Sequence, residues 1–299
     1  MRIAVASSSR LALAIIEAIE GAGHELCGVI TMPDAPKGRG RELSASELAS
    51  CLNDRAVAKP GSAEELERAI RVMAPELIIT IAYGRLIKEP ALSLPTFGWL
   101  NVHFSLLPKY RGAAPVQRAL IAGETETGVT IFKLELGMDT GPIYSQSKVR
   151  LQGNETAGEL LESLNQLGAR DLITSIKMIE AGQSPTVQTG SPSFAPKIAK
   201  AETRIDWHES AIQIERKIRA FQPEPGAWST FRGQRTTISA AQRVEGEGAP
   251  GEILTPDPLV IATGSGAIEI KNLQSGGRRE LSASEWVRGA RIIASDRFE

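Results

Sequence analysis

A nearly uncharged run, Glu76-Leu77-Ile78-Ile79-Thr80-Ile81-Ala82-Tyr83, follows Pro75 in this sequence. Continuous apolar runs of this length are typical of strands that are buried on both faces of a parallel sheet. The run therefore predicts the central strand of a sheet that helices cover on both sides.

Short β-rich runs alternate with helical patterns on both sides of this strand. Residues 3–7 and 26–31 predict strands before it, and residues 99–104 and 128–136 predict strands after it. Apolar residues at helical spacing lie between these runs, for example over residues 63–73. This alternation predicts an α/β domain with a doubly wound, mostly parallel, Rossmann-like sheet.

The character of the sequence changes after Gly182, where small polar residues and prolines replace the amphipathic pattern. Beyond residue 205, short β-rich runs separated by Gly and Pro predict a small OB-like β-barrel. We therefore predict a first domain over residues 1–186, a linker over 187–204 and a C-terminal barrel domain over 205–299.

Composition excludes several classes of protein. The chain has 299 residues, of which 42% are hydrophobic and 23% charged, as expected for two folded domains. Its longest apolar runs, such as residues 77–82, are far shorter than the roughly 18 residues of a membrane span. The first residues lack the pattern of a secretory signal. With a net charge of −1, any attraction for nucleic acid must come from local basic patches.

Several common cofactor motifs are missing. The first strand is followed by Ser7-Ser8-Ser9-Arg10 and lacks the glycine pattern of a dinucleotide site, so an NAD-dependent enzyme is not expected. The sequence also lacks H-E-x-x-H and paired C-x-x-C motifs, so we expect no metal.

Polar groups suited to chemistry follow the strand predicted over residues 99–104. Because side chains alternate along a strand, Asn101 and His103 project to the same side, near the strand's carboxyl end where ligands collect in α/β sheets. An amide donor beside an imidazole suits acyl transfer, in which a carbonyl oxygen becomes anionic and a leaving nitrogen needs a proton. Alone, such a pair is also compatible with two satisfied polar residues at a strand end.

A third candidate is Asp139, in the glycine-flanked turn Gly137-Met138-Asp139-Thr140-Gly141. It comes just after the strand predicted over residues 128–136, which also places it at a strand's carboxyl end. An Asp in such a turn commonly caps local backbone donors. The alternative is a carboxylate that orients His103 and favours its cationic form.

The sequence around these candidate residues resembles a known family, the folate-dependent formyltransferases. The resemblance lies in Asn101-Val102-His103-Phe104-Ser105-Leu106-Leu107-Pro108-Lys109-Tyr110-Arg111-Gly112-Ala113-Ala114-Pro115 and continues through residues 126–130 and 137–141. Within that superfamily, residues 111–118 and the segments 201–207 and 218–223 most resemble methionyl-tRNA formyltransferases. The match extends over nearly the whole chain.

The resemblance implies a chemistry and a set of residues. Methionyl-tRNA formyltransferases transfer a formyl group from 10-formyltetrahydrofolate to the methionine amino group of initiator methionyl-tRNA, and they need no metal. The catalytic Asn, His and Asp of the family fall on Asn101, His103 and Asp139. The folate-contacting segment falls on four consecutive residues, Ser105, Leu106, Leu107 and Pro108. Such an enzyme is expected to work as a monomer in the bacterial cytoplasm or in an organelle.

The resemblance also assigns a basic loop over residues 33–41 to the tRNA acceptor end. Its key arginine falls on Arg39, with Lys37 and Arg41 beside it. Lys197 and Lys200, with further basic residues up to Arg219, would add a positive patch for the tRNA backbone. Without the resemblance, the loop reads as an ordinary solvated surface.

Two other functions remain open. A formyltransferase acting on a small amine, such as glycinamide ribotide or an amino sugar, shares the Asn-His-Asp chemistry but does not need the basic loop or the barrel. A tRNA-binding protein without catalysis is the more distant alternative, and the presence of all three catalytic residue types argues against it.

Overall fold

A computed structural model describes residues 1–37, 42–52 and 55–299. Within these ranges the chain forms two compact units. Unit 1 comprises Met1–Pro115, Glu126–Val149 and Leu161–Pro196, and unit 2 comprises Val116–Thr125, Arg150–Leu160 and Lys197–Glu299. None of the described helices combines the length and hydrophobicity that a membrane crossing requires.

The first part of the chain builds a seven-stranded sheet in the order β5-β2-β1-β6-β7-β8-β9, with β3 and β4 forming a separate pair. The strands are β1 (Arg2–Ala6), β2 (Glu25–Ile30), β3 (Ala35–Lys37), β4 (Glu42–Ser44), β5 (Val57–Ala58), β6 (Leu77–Thr80), β7 (Trp99–His103), β8 (Glu126–Lys133) and β9 (Ile143–Arg150). The helices are α1 (Ala12–Gly21), α2 (Glu47–Cys51), α3 (Ala63–Met73), α4 (Pro115–Ala122) and α5 (Ala157–Glu180).

The pairs from β5 through β7 are all parallel, which confirms the α/β fold predicted from the sequence. Every residue of β6 is buried, as its apolar sequence predicts. Helix α3 begins where the Ser62 hydroxyl accepts a hydrogen bond from the Glu65 amide, an N-cap that satisfies an otherwise unpaired helical donor. Its end packs on β2 at Gly28, where a Cβ atom would lie only 2.4 Å from Met73 Sδ.

Strand β8 departs from the sequence-based expectation. It runs antiparallel to β7, pairing Leu100 with Lys133 and His103 with Thr130. Its carboxyl end therefore lies beside the start of β7. Asp139 follows a strand's carboxyl end, as the sequence predicts, but this end lies at the opposite edge of the sheet from the end of β7. The strand also ends at Lys133, before the predicted residue 136, and the chain after it folds back.

Unit 2 contains a six-stranded antiparallel sheet in the order β10-β11-β14-β13-β12, with β15 paired to β14. The strands are β10 (Ala227–Phe231), β11 (Gln234–Val244), β12 (Ile253–Pro256), β13 (Leu259–Ala262), β14 (Ala267–Ser275) and β15 (Leu281–Ser282). A 3-10 helix (Lys200–Thr203), α6 (Ala211–Ala220) and α7 (Ala283–Ala290) accompany them. This antiparallel unit corresponds to the domain predicted as an OB-like barrel.

An aromatic cluster holds the core of unit 2 together. Phe231 lies 4.8 Å from Trp286 and 5.3 Å from Phe298, measured between ring centroids. Trp207 joins the cluster at 5.8 Å from Phe298 and donates its indole hydrogen to the Ser229 hydroxyl. Aromatic contacts at these distances add to the free energy of apolar burial.

Candidate active site

His103 is the last residue of β7 and is almost completely buried, with 5% of its surface exposed. Its Nε2 atom lies 2.9 Å from the carbonyl oxygen of Tyr110. Because a carbonyl oxygen only accepts, Nε2 carries the hydrogen, and Nδ1 holds the lone pair of the neutral ring. The imidazole and the Phe132 ring form a T-shaped contact with 6.2 Å between centroids.

The Asp139 carboxylate faces the other ring nitrogen. Its Oδ2 atom lies 3.9 Å from His103 Nδ1 and accepts a hydrogen bond of 2.7 Å from the Gly112 amide. Burial lowers the pKa of His103, whereas the Asp139 charge and the Tyr110 carbonyl both oppose that shift. The result is a buried, neutral imidazole with a carboxylate beside the nitrogen that would take a proton.

Asn101 lies two residues before His103 in β7 and is half-buried. Strand alternation places both side chains on one face of the sheet. Within the described ranges, no protein group is hydrogen-bonded to the Asn101 side chain, so its amide donors are available to a ligand. The site thus offers a neutral donor and a proton acceptor on the same face.

The segment predicted to contact folate continues directly from His103. Ser105, Leu107 and Pro108 are buried, and Leu106 is half-buried. The Thr130 hydroxyl fixes this segment by donating to the Ser105 carbonyl (2.7 Å) and accepting from the Leu107 amide (3.2 Å).

Two further contacts hold the same segment. The Gln146 side chain donates to the Leu107 carbonyl at 2.9 Å. The Leu106 side chain packs at Gly128, where a Cβ atom would lie 2.5 Å from Leu106 Cδ2. The backbone of residues 105–108 is therefore held in place by the protein itself.

Part of the predicted linker also belongs to this region of unit 1. The Arg111 amide donates to the Ser193 carbonyl (2.9 Å), and the Ala195 amide donates to the Arg111 carbonyl (2.7 Å). Gly112, with φ +125°, is the residue this approach requires, because a Cβ atom there would lie 2.6 Å from the Ala195 carbonyl oxygen. Gln188, in the same segment, contacts the Asp139 turn. Gln188 is not among the predicted site residues, because nothing in its local sequence distinguishes it from an ordinary polar residue.

The residues predicted to contact tRNA are placed in different ways. Arg39 and Arg41 lie outside the described residues, and Lys37 ends β3. Lys197 and Lys200 are exposed in unit 2 and have no ion-pair partner in the described ranges.

Other members of the predicted basic patch are engaged with acidic side chains. Lys217 pairs with Glu209, and Arg219 pairs with Glu215. Two of the six basic residues counted between Lys197 and Arg219 are thus neutralised by carboxylates within unit 2.

Two family models match the chain. "Formyl transferase" matches residues 1–176, and "Formyl transferase, C-terminal domain" matches residues 197–291. Among curated proteins, the chain is 40% identical over 306 residues to the methionyl-tRNA formyltransferase of Arthrobacter sp., with all of both chains covered. It is 38% identical over 307 residues to that of Salinispora tropica, with 99% of each chain covered.

Solved structures share the fold at lower sequence identity. A methionyl-tRNA formyltransferase from Clostridium thermocellum aligns with a TM-score of 0.58 and 18% identity, over 83% of this chain and 95% of that one. HypX from Aquifex aeolicus in complex with tetrahydrofolic acid aligns with a TM-score of 0.71 and 20% identity, over 96% of this chain and 47% of that one.

Proposed function

We propose that this chain, which belongs to the formyl transferase family, transfers the formyl group of 10-formyltetrahydrofolate to the amino group of methionyl-tRNA. The product is the N-formylmethionyl-tRNA used to initiate translation. Full-length similarity to methionyl-tRNA formyltransferases supports the choice of substrate. The observation that carries the chemistry is the placement of Asp139 at His103 Nδ1, on the sheet face that also carries Asn101.

The site fits the formyl donor, which supplies the carbonyl group that the amine attacks. A pterin is flat and largely apolar on its faces, and the half-buried Leu106, with the buried Leu107 and Pro108 beside it in sequence, offers an apolar side chain in the segment that follows His103. Because Thr130 and Gln146 hold this segment, the surface is formed before the ligand arrives. We propose that Ser105, Leu106, Leu107 and Pro108 contact the donor.

Asn101 stabilises charge in the proposed reaction. When the amine attacks, the carbonyl oxygen becomes negative, and a neutral amide donor aimed at that oxygen lowers the barrier. The Asn101 amide has no protein partner in the described ranges to compete for its hydrogens. Removing one such donor in other acyl-transfer enzymes typically costs about 10² to 10³ in rate.

His103 moves the proton. Its Nε2–H is engaged with the Tyr110 carbonyl, so Nδ1 is the atom that takes the proton lost by the attacking amine. Asp139, 3.9 Å from Nδ1, stabilises the imidazolium that results. The same proton then passes to the departing nitrogen, and His103 returns to the neutral form that its burial favours.

We also propose the contacts with tRNA and the cellular setting. Arg39, Lys37 and Arg41 bind the acceptor end, and Lys197 and Lys200 bind the phosphate backbone. The enzyme acts on tRNA as a monomer in the cytoplasm of a bacterium or inside an organelle.

The deciding experiment compares three formyl acceptors with the purified full-length chain and 10-formyltetrahydrofolate. We expect kcat/KM for methionyl-tRNA to exceed that for free methionine by at least about a hundredfold, because binding energy from the remote tRNA is used in the transition state. A nucleotide-linked amino sugar is the third acceptor. A preference for the sugar, or equal use of free methionine, would overturn the proposal.

A further inference from the structure

The turn that carries Asp139 is hydrogen-bonded at its base, where the Lys133 amide donates to the Pro142 carbonyl, but its tip is exposed. Its outer residues 135–138 are exposed, and Asp139 itself has φ +51°, a left-handed conformation that costs a non-glycine residue about 1 kcal/mol or more. The catalytic geometry therefore depends on hydrogen bonds that reach the base of this turn from elsewhere.

The Gln188 side chain provides such bonds. Its amide nitrogen donates to the carbonyl oxygens of Asp139 and Gly141, both at 2.8 Å. Its amide oxygen accepts from Arg111 Nη2 at 2.7 Å. The orientation of the amide is fixed by chemistry, because carbonyl oxygens only accept and a guanidinium only donates.

The backbone on both sides of Gln188 is attached to the elements that build the site. Before it, Thr186 and Ile143 exchange two hydrogen bonds of 2.7 and 2.8 Å at the start of β9. After it, Phe194 forms a bridge with Arg111. Gln188 is thus held between the strand that follows the Asp139 turn and the residue that precedes Gly112.

Resting on the proposed function, we propose that Gln188 is a positioning residue for formyl transfer, which holds the main chain of Asp139 so that its carboxylate stays at His103. Gly112 holds the same residue from the other side, through the carboxylate. Gln188 acts through Asp139 and does not itself touch the reacting atoms.

Two variants distinguish the hydrogen bonds that the Gln188 amide nitrogen donates from the hydrogen bond that its amide oxygen accepts. Gln188→Met keeps the size of the side chain and removes all three hydrogen bonds. Gln188→Glu keeps an acceptor for Arg111 and loses the donors to the Asp139 turn. We expect both variants to lower kcat about 10- to 100-fold, with KM for the formyl donor changed less than about threefold. The matched control is Gln183→Met, since Gln183 is exposed in the same unit.

A second readout separates positioning from a loss of stability. The chain has three histidines, so labelled histidine gives a tractable NMR titration. Because the Asp139 charge raises the pKa of buried His103, the neutral variant Gln188→Met should move the His103 titration to lower pH, and Gln183→Met should not. An unchanged kcat overturns the proposal, and so does a slower enzyme whose His103 titration is unmoved. Wild-type kcat in Gln188→Glu also overturns it, because Arg111 would then be the group that matters.

The titration needs no substrate and so is independent of the assigned reaction. If methionyl-tRNA is not formylated but the titration moves as expected, the proposed function fails and the positioning role of Gln188 stands. If methionyl-tRNA is formylated and the titration does not move, the positioning role fails alone.

Discussion

The Asp139 turn and the basic surface of unit 2 use charged side chains in opposite ways. At the turn, one carboxylate faces one buried imidazole at 3.9 Å and accepts a hydrogen bond from the Gly112 amide, while Gln188 donates to the main-chain carbonyl of the same residue. On the surface, Lys217 and Arg219 pair with acidic neighbours, whereas Lys197 is exposed. A charged side chain that acts on a ligand must either be held in position for it or lack an ion-pair partner in the protein. The number of charged residues in a sequence shows neither of these properties.

The largest expected effect lies at the preorganised site. Replacing Asn101 with Ala removes the donor that we propose for the developing oxyanion, so we expect kcat to fall at least about 10²-fold, or roughly 3 kcal/mol in transition-state stabilisation. KM for 10-formyltetrahydrofolate should stay within about threefold of wild type. Steady-state kinetics with methionyl-tRNA measures both.

The control for this variant is Asn154→Ala, because Asn154 is exposed and belongs to unit 2. It should leave kcat unchanged. If Asn101→Ala turned over at nearly the wild-type rate, Asn101 would not stabilise the oxyanion. Proton transfer by His103 would then be the remaining part of the proposed mechanism.

The second prediction concerns the unpaired lysines. Replacing Lys197 and Lys200 together with Ala should raise KM for methionyl-tRNA about three- to tenfold at low salt and reduce the salt dependence of tRNA binding by about one to two counterions. The reason is that unpaired lysines release counterions when they meet phosphates. Binding measured over a series of salt concentrations gives the slope.

The matched control for the lysine pair is Lys217→Ala with Lys271→Ala, which removes the same two charges. Both of these lysines pair with glutamates in unit 2. If the control pair weakens tRNA binding as much as the first pair, net charge and not exposure governs tRNA binding, and paired and exposed lysines do not differ in their action on the ligand.

Local patterns predicted much of the fold. The bounds of α3 match the helical spacing of residues 63–73, and β6 and β7 lie where apolar runs predicted them. The alternation of side chains along a strand also places Asn101 and His103 on one face, because residues two positions apart always project to the same side. These features follow from interactions between near neighbours.

Long-range contacts could not be derived in this way. The direction of β8 depends on which edge of β7 it pairs with, and Asp139 reaches His103 only because the chain after Lys133 folds back. The pairing of Arg118 with Glu202 and the contact of Gln188 with Asp139 join positions far apart in sequence. A polar, proline-rich segment has no periodicity that would predict its partners, so residues 188–195 looked like a simple linker.

The smallest expected effect is on stability. It tests whether Asp139 and the Tyr110 carbonyl offset the lowering of the His103 pKa by burial. Because burial lowers the pKa of His103 below the usual 6.5, the unfolded chain takes up this proton first as the pH falls, so the free energy of unfolding decreases from about pH 7 downward. Between about pH 7.5 and 5.5, we expect wild type to lose on the order of 1 kcal/mol more than His103→Gln, as measured by denaturant unfolding. Asn101→Ala keeps the imidazole and should retain the wild-type slope. If the free energy of unfolding changed equally with pH in wild type and in His103→Gln, Asp139 and the Tyr110 carbonyl would fully offset the effect of burial on the His103 pKa. The charge at the site would then be compensated, like the charges of Lys217 and Arg219 on unit 2.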